Sequence, residues 1–311
     1  MSNKLKELLQ NKTSDFYLRK NGIFYKQNDG LSMLCAPLEI DALISDLGYE
    51  NKLKVLRETK IEQDFSLDFG DVFLRFHLFF TQNELGLNIR VLPQNLPVLD
   101  SRYDYFLNEL NVRKSGLFLI AGATGSGKTT TANCILDYIN NRLNLHIVCI
   151  EDPIEYRQRS KKSLFTYREI GNDTKSFESG IISALRLDPD VIFVGELRDK
   201  AAIAQALLAA QTGHLVLATI HGSNAQNTLL RFISSFEDRD LASLELSQSI
   251  FGIITQKRNI KNQIVCEMLS ATHAMRNLIK ERKFSQIQSQ ISISSEYGMM
   301  CFDDQKNKAR L

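Results

Sequence analysis

Apolar and polar residues alternate along the first third of the chain, a pattern typical of half-buried strands. Residues 38–58 instead place their leucines at helical spacing, in two successive stretches. We therefore predict a small α+β domain with an antiparallel sheet. Its predicted strands are 16–18, 23–25, 63–69, 73–79 and 85–92.

The pattern changes from about residue 116, where wholly apolar segments alternate with helical ones. Strands without any polar position are typical of a parallel sheet that helices cover on both faces. Helical periodicity follows at 129–142 and 199–211. An α/β domain is expected here, with strands at 117–121, 147–150, 191–194 and 215–219.

Two prolines separate these patterns, at Pro93 and Pro97. Because proline restricts φ to about −65° and lacks an amide hydrogen, the segment suits a short, stiff connector. The predicted boundaries are 1–92 for the N-terminal domain and 93–115 for a linker and lead-in. Residues 116–311 are then the second domain, with a helical C-terminal part.

Composition narrows the class of protein. The 311 residues carry 38 Lys+Arg against 36 Asp+Glu, a net charge of +2, which argues against a large nucleic-acid-binding surface. No apolar run reaches the roughly 18 residues of a membrane span, and the N-terminus lacks the apolar core of a secretory signal. The five cysteines lie far apart without a CxxC pair, as expected of reduced cytosolic thiols rather than of disulfides or zinc.

Residues 122–129 read GATGSGKT and match the phosphate-loop motif G-x-x-x-x-G-K-[ST] in full. The motif follows an apolar strand and opens a helical stretch, the context in which loop amides and the helix N-terminus surround phosphates. Lys128 would reach the β- and γ-phosphates, and the Thr129 hydroxyl would hold Mg²⁺. The predicted ligands are ATP and Mg²⁺, and the predicted binding residues are Gly122, Ala123, Thr124, Gly125, Ser126, Gly127, Lys128, Thr129 and Thr130.

Acidic residues and a histidine follow the other predicted parallel strands. Glu196 comes after strand 191–194, where an acid can hold the metal, and three acids lie within 151–155. Solvated loop charges are the alternative interpretation of these acids. His214 and His221 bracket the last strand, and His221 would emerge at the phosphate-loop edge as a candidate sensor of the γ-phosphate.

Four blocks together resemble the secretion ATPase superfamily, whose members power type II secretion, type IV pilus assembly and pilus retraction. A fifth, AMRNLIKE at 274–281, is similar to the AIRNLIRE helix of the PilT-like retraction ATPases, and it is a candidate surface for the membrane partner. The segments SDFYL at 14–18 and EQDFS at 62–66 extend the resemblance to the N-terminal part. The four blocks are GATGSGKTT (122–130), IEDPIEY (150–156), LRLDPDVIFVGELRD (185–199) and TGHLVLATIH (212–221).

The resemblance implies an α/β fold in which a smaller PAS-like α+β domain precedes a RecA-like P-loop ATPase domain. It assigns Glu155 as the catalytic glutamate that polarises the attacking water. It assigns Glu196 as the Walker B acid, which holds Mg²⁺ together with Thr129. Phosphate binding by Lys128 is common to the family and to the motif.

Two further assignments follow from the resemblance. His214 and His221 would form the family's His box. Arg75 and Arg90 match the N-domain arginines that approach the γ-phosphate of a neighbouring subunit, which implies a homohexamer. A solvated or salt-bridged surface charge is the alternative for each arginine.

The expected protein is a Mg-dependent ATPase motor that powers type IV pilus retraction through ATP-driven rotation of one domain against the other. It would be cytoplasmic, held at the inner membrane by a platform protein, without a stable nucleic-acid partner. The lack of a large N-terminal extension and of a four-cysteine zinc insertion favours retraction over pilus assembly.

Three alternatives remain. The chain could be a related type II or type IV secretion or effector-export ATPase, since HGSNA at 221–225 departs from the family's HTxSA. It could be a nucleotide-sensing adaptor without hydrolysis, because Asn83 stands where the family has an arginine. A nucleic-acid translocase is disfavoured by the near-neutral charge.

Overall fold

The computed structural model describes Leu9 and residues 15–27, 30–35, 39–69, 72–92 and 95–304. The chain divides into two compact units. The first unit comprises Met1–Asn95 with Glu155–Arg157, and the second comprises Leu96–Ile154 with Gln158–Leu311.

The described part of the first unit is an antiparallel sheet of six strands in the order β3-β2-β1-β6-β5-β4. Its inward side chains, such as Phe16, Phe65 and Phe76, are buried with residues of two helices, α1 (Ile40–Asp46) and α2 (Glu50–Thr59). The predicted alternation is thus confirmed. The strands are β1 (Asp15–Arg19), β2 (Gly22–Gln27), β3 (Gly30–Cys35), β4 (Gln63–Phe69), β5 (Val72–Thr81) and β6 (Glu84–Leu92).

Strand β3 was not predicted from the pattern. It lies at the edge of the sheet, where Leu31 and Met33 are exposed. Because its outward positions are apolar, the strand lacks the polar face on which the period-two signal depends.

The second unit contains a mixed sheet of seven described strands in the order β13-β12-β7-β11-β10-β8-β9. Only β13 runs antiparallel to its neighbour. Every residue of β7, β10 and β11 is buried, which confirms the expected covered parallel strands. The strands are β7 (Gly116–Gly122), β8 (His146–Glu151), β9 (Leu164–Glu169), β10 (Val191–Val194), β11 (Leu215–Ile220), β12 (Ile250–Arg258) and β13 (Ile264–Ser270).

Helices cover both faces of this sheet. Two of them, α3 and α4, pack with one set of strand residues, and the remaining helices pack with the alternate set. Helices α4 and α6 confirm the predicted helices at 129–142 and 199–211. The helices are α3 (Asp104–Leu110), α4 (Lys128–Arg142), α5 (Phe177–Ala184), α6 (Lys200–Gln211), α7 (Ala225–Ile233), α8 (Arg239–Ser249), α9 (His273–Lys280) and α10 (Ile287–Ile293).

Strands β9, β12 and β13 were not predicted. Strands β9 and β13 lie at the two sheet edges, and β12 begins at Ile250, directly after the last residue of α8. Since no glycine or proline separates the helix from β12, the sequence carries no boundary signal there.

The lead-in to the second unit contains helix α3. Phe106 of this helix is buried and stacks on Phe118 of β7, with 5.3 Å between ring centroids. Helix α3 therefore packs into the core, whereas the residues before it include fully exposed positions such as Val98. Within the described residues, no helix is both long and apolar enough to cross a bilayer.

Candidate functional site

A tight loop joins β7 to α4 and carries the phosphate-loop motif. A Cβ atom added to Gly122 would lie 2.4 Å from Ser126 Oγ and 2.5 Å from the carbonyl oxygen of Gln256, so the close approach requires glycine. Gly125 has φ +77°, a left-handed conformation that glycine adopts without strain. The strand, loop and helix therefore form the cradle that the motif requires.

Lys128 folds back over this loop. Its Nζ donates to the carbonyl oxygens of Gly122 and Ala123, both at 3.0 Å, and the residue is buried. The hydroxyl of Ser126 is buried and has no hydrogen-bond partner among the residues that the structure describes. An ammonium group, hydroxyls and backbone amides at a helix N-terminus form a donor set that fits the phosphates of a nucleotide.

The carboxyl ends of four neighbouring strands meet at the edge that carries this loop. Strand β7 pairs in parallel with β11, β11 with β10, and β10 with β8. Gly122, His221, Glu196 and Glu151 lie at or just after these four strand ends. Ligands of parallel α/β sheets bind at this edge.

Glu196 is the centre of a polar network at that edge. Its Oε1 lies 2.8 Å from His221 Nε2, and its Oε2 accepts a hydrogen bond of 2.6 Å from Arg198 Nε. Arg198 also lies 3.6 Å from Asp152. The hydrogen bond from Arg198 to Glu196 raises the pKa of this guanidinium. The network contains two predicted site residues, Glu196 and His221, one of the acids noted within 151–155, Asp152, and one residue that was not predicted, Arg198.

Glu151 was not selected from the sequence as a site residue, although it was one of the acids noted there. It is the last residue of β8 and only 2% exposed. Its Cγ lies 3.2 Å from the position that a Cβ on Gly195 would occupy, next to Glu196. The predicted catalytic residue, Glu155, is half-buried and belongs to the first compact unit. The sequence did carry a signal for Glu151, because this acid directly follows the wholly apolar segment 147–150.

Comparison with known proteins identifies the family. A family model described as "Type II/IV secretion system protein" matches residues 79–302. The chain belongs to this family. The type IV pilus retraction ATPase PilT of Pseudomonas aeruginosa is 39% identical over 282 residues, 86% of this chain and 80% of that protein. The uncharacterized protein YggR of Escherichia coli is 39% identical over 236 residues, 74% of this chain and 72% of its own.

A solved structure agrees with this assignment. The pilus retraction motor PilT with bound ADP matches at 33% identity and a TM-score of 0.81, covering 97% of this chain and 94% of that one. The resemblance inferred from the motifs is thereby confirmed. The chain is a PilT-like member of the secretion ATPases and an ATP hydrolase by class.

The two histidines of this secretion ATPase lie at opposite ends of β11. His214 precedes the strand, and its Nδ1 lies 3.1 Å from the carbonyl oxygen of Ala209. His221 follows the strand at the phosphate-loop edge. Within one chain, His221 but not His214 therefore lies at the phosphate-loop edge.

Arg75 and Arg90 lie in the first unit, directly opposite each other on β5 and β6. Nε of Arg90 donates to Asp15 at 2.6 Å, and Arg75 lies 3.7 Å from Asp64. Like charges placed opposite each other disfavour a strand pair, so these acids offset the repulsion. Both arginines line a cavity of about 310 Å³.

Side chains of strand β12 form hydrogen bonds to the phosphate loop and to helix α4. Nε2 of Gln256 donates to Thr131 Oγ1 of α4 at 2.8 Å and to the Tyr103 hydroxyl at 3.3 Å. Burial raises the pKa of the Tyr103 hydroxyl. Nε of Arg258 donates to the carbonyl oxygen of Gly125 at 2.8 Å. No sequence motif indicated these contacts, because they join segments more than a hundred residues apart.

The AMRNLIKE segment, a candidate surface for a membrane partner, covers α9 from Ala274 to Lys280 together with the C-cap residue Glu281. Arg276 points inward, and its guanidinium donates to the carbonyl oxygens of Gln248 and Ile250, both at 2.7 Å. The arginine of this motif therefore caps the C-terminus of α8. Burial lowers the pKa of the Arg276 guanidinium.

Proposed function

We propose that this chain is a hexameric, Mg-dependent ATPase motor that powers type IV pilus retraction. The observation that carries the proposal is the joint placement of the phosphate loop, Glu196 and His221 on one sheet edge, in a chain similar to PilT over most of its length. The proposed motor has a PAS-like N-terminal domain and a RecA-like ATPase domain. Its proposed setting is cytoplasmic, held at the inner membrane by a platform protein.

The phosphate loop and Lys128 bind and orient the triphosphate. Thr129 and Glu196 are the residues that would hold Mg²⁺, since a hydroxyl after the P-loop lysine and an acid after a neighbouring strand are its usual protein ligands. The metal, when bound, neutralises charge on the phosphate oxygens. Of the carboxylates that could polarise the attacking water, Glu151 lies at the sheet edge, and Glu155 is the one assigned by resemblance.

His221 and Arg198 share the carboxylate of Glu196 and can respond together to the γ-phosphate. When negative charge enters beside them, either side chain can turn from Glu196 toward the phosphate. Loss of that phosphate returns both to the carboxylate. This exchange gives the site a means of sensing which nucleotide is present.

Arg75 and Arg90 are proposed to act in a neighbouring subunit. An arginine brought to the transferred phosphoryl group contributes roughly 10³–10⁵ in rate in GTPases. Rotation of the N-terminal domain against the ATPase domain would then carry these arginines to and from the neighbouring nucleotide. ATPase activity would therefore depend on assembly of the hexameric ring.

The second candidate function is that of an ATPase that drives a secretion system, because the family model includes both type II and type IV systems. A strain whose gene carries Glu196→Gln separates the two. For a retraction motor, pili assemble but do not shorten, and secretion continues. For an export motor, secretion stops and pilus length is unchanged.

The biochemical test is ATPase activity measured against protein concentration, with light scattering to follow assembly. We expect activity to rise steeply as the hexamer forms. Mixing Lys128→Ala with Arg75→Ala/Arg90→Ala subunits should restore part of the activity that each lacks alone. Nucleotide binding without turnover in every assembly state would instead support the adaptor.

A further inference from the structure

A basic pocket lies on the second unit, on the sheet face opposite the one that α4 covers. It measures about 290 Å³ and is formed by the end of α7, the start of α8 and the segment after α9. We call it the arginine pocket. The side chains that line it are Leu230, Arg231, Ile233, Ser234, Arg239, Arg282 and Phe284.

The charge of this pocket is largely uncompensated. Within the described part of the chain, the side chains of Arg231 and Arg239 form no ion pair and no hydrogen bond. Arg282 pairs with Asp240 at 2.8 Å, and no acid lines the cavity. Even when Asp240 is counted against Arg282, two positive charges face a concave surface.

The pocket also has an apolar floor. Ile233 and Phe284 are buried beneath it. A small ligand would therefore meet guanidinium groups at the rim and hydrocarbon at the base. Binding pockets commonly combine an apolar lining with a few convergent polar groups in this way.

Arg282 is positioned at a conformational cost. Its φ is +55°, in the left-handed region, directly after the C-cap residue of α9, where glycine is the usual residue. Strained non-glycine residues tend to cluster at functional sites. Replacing Arg282 with glycine removes the charge and also relieves the backbone strain. A loss of ligand binding in this variant would therefore not be caused by a loss of folding stability.

We propose that the arginine pocket binds a phosphate monoester. Guanidinium groups match the oxygens of phosphate in bidentate geometry, and the dianion suits several cations that converge on one cavity. An acidic peptide is less well matched, because an extended chain needs a groove rather than a compact cavity. The phosphate is carried either by a small molecule or by a lipid headgroup.

The test uses the full chain saturated with Mg-ADP, so that the phosphate loop is occupied. Glycerol 3-phosphate is titrated by calorimetry. In parallel, the protein is sedimented with vesicles of phosphatidylcholine and phosphatidic acid, or of phosphatidylcholine alone. The variants are Arg231→Gln and Arg282→Gly. The matched control is Arg142→Gln, which removes one charge at the end of α4, on the opposite face of the sheet.

We expect saturable binding that each pocket variant weakens by about tenfold or more and that Arg142→Gln leaves unchanged. Arg282→Gly should unfold at the same or a higher urea concentration than the unmodified chain, which excludes misfolding as the cause. Binding to glycerol 3-phosphate indicates a small molecule, and binding to phosphatidic acid vesicles alone indicates a headgroup.

Two results overturn the proposal. One is the absence of saturable binding to either probe. The other is binding that the pocket variants leave intact or that Arg142→Gln weakens equally. Pocket-dependent binding of a glutamate-rich peptide, without binding of either phosphate probe, would replace the proposal with a protein partner.

Discussion

Nε2 of His221 lies 2.8 Å from Oε1 of Glu196, and the two residues follow neighbouring parallel strands. We expect His221→Gln to lower kcat by about 100-fold while ADP affinity stays within about threefold, because the proposed role of the pair is to sense the γ-phosphate rather than to hold the nucleotide. Steady-state ATPase assays and ADP titrations measure the two quantities.

His214 is the matched control for this prediction. It lies at the opposite end of β11, so His214→Gln should leave the kcat of an isolated ring close to that of the unmodified enzyme. An equal loss of activity in both variants would show that His214 acts across a subunit boundary, as the His box assigned by resemblance allows.

Two carboxylates compete for the role of polarising water. We expect Glu151→Gln to bind ATP but lower turnover by about 100-fold or more, since this carboxylate is buried at the sheet edge beside Gly195. The resemblance predicts the same loss for Glu155→Gln. Single-turnover hydrolysis by both variants decides between them, and full activity of Glu151→Gln would leave the role to Glu155.

Two glycines of the phosphate loop should differ in their sensitivity to substitution. A methyl group on Gly122 would collide with Ser126 and the Gln256 backbone, whereas nothing lies within 4 Å of one on Gly125. Gly122→Ala should therefore cost about 3 kcal/mol of unfolding free energy and abolish tight ADP binding. Gly125→Ala should cost about 1 kcal/mol, from its positive φ alone. Equal costs in urea unfolding would contradict the collision.

Asn83 occupies the turn between β5 and β6. Gln82 and Asn83 have φ of +50° and +64°, the signature of a two-residue type I′ turn, in which asparagine is favoured. Turn geometry thus accounts for the residue that had suggested an adaptor. Asn83→Arg should cost about 1 kcal/mol without raising ATPase activity, and Asn83→Gly should be neutral or stabilising. A gain of activity with arginine would revive the adaptor hypothesis.

Arg276 should be structural rather than exposed to a partner. Arg276→Ala removes a charged donor from the last carbonyls of α8, which should lower the unfolding free energy by about 2 kcal/mol. Lys280→Ala, at an exposed position of the same helix, should change it by less than about 0.5 kcal/mol. Normal stability of Arg276→Ala would return the motif to a partner-binding role.

The patterns that succeeded were local ones. The loop at 122–129 needs only adjacent residues, and the buried strands of the second unit needed only continuous apolar runs. The pattern missed strand β3 because the outward side chains of this strand are apolar. It missed strand β12 because no glycine or proline separates this strand from α8, so the start of β12 is recognised only from its pairing in the sheet.

The sequence by itself determined the phosphate loop, the division into an alternating and a wholly apolar half, and the family, since each depends on the order of neighbouring residues. Tertiary structure decided which distant side chains meet. It placed His221 and Arg198 beside Glu196, turned Arg276 inward, put His214 at the far edge and formed the arginine pocket from α7, α8 and the segment after α9. Such contacts depend on strand order and helix packing, and spacing along a chain does not encode the distance between atoms on separate elements.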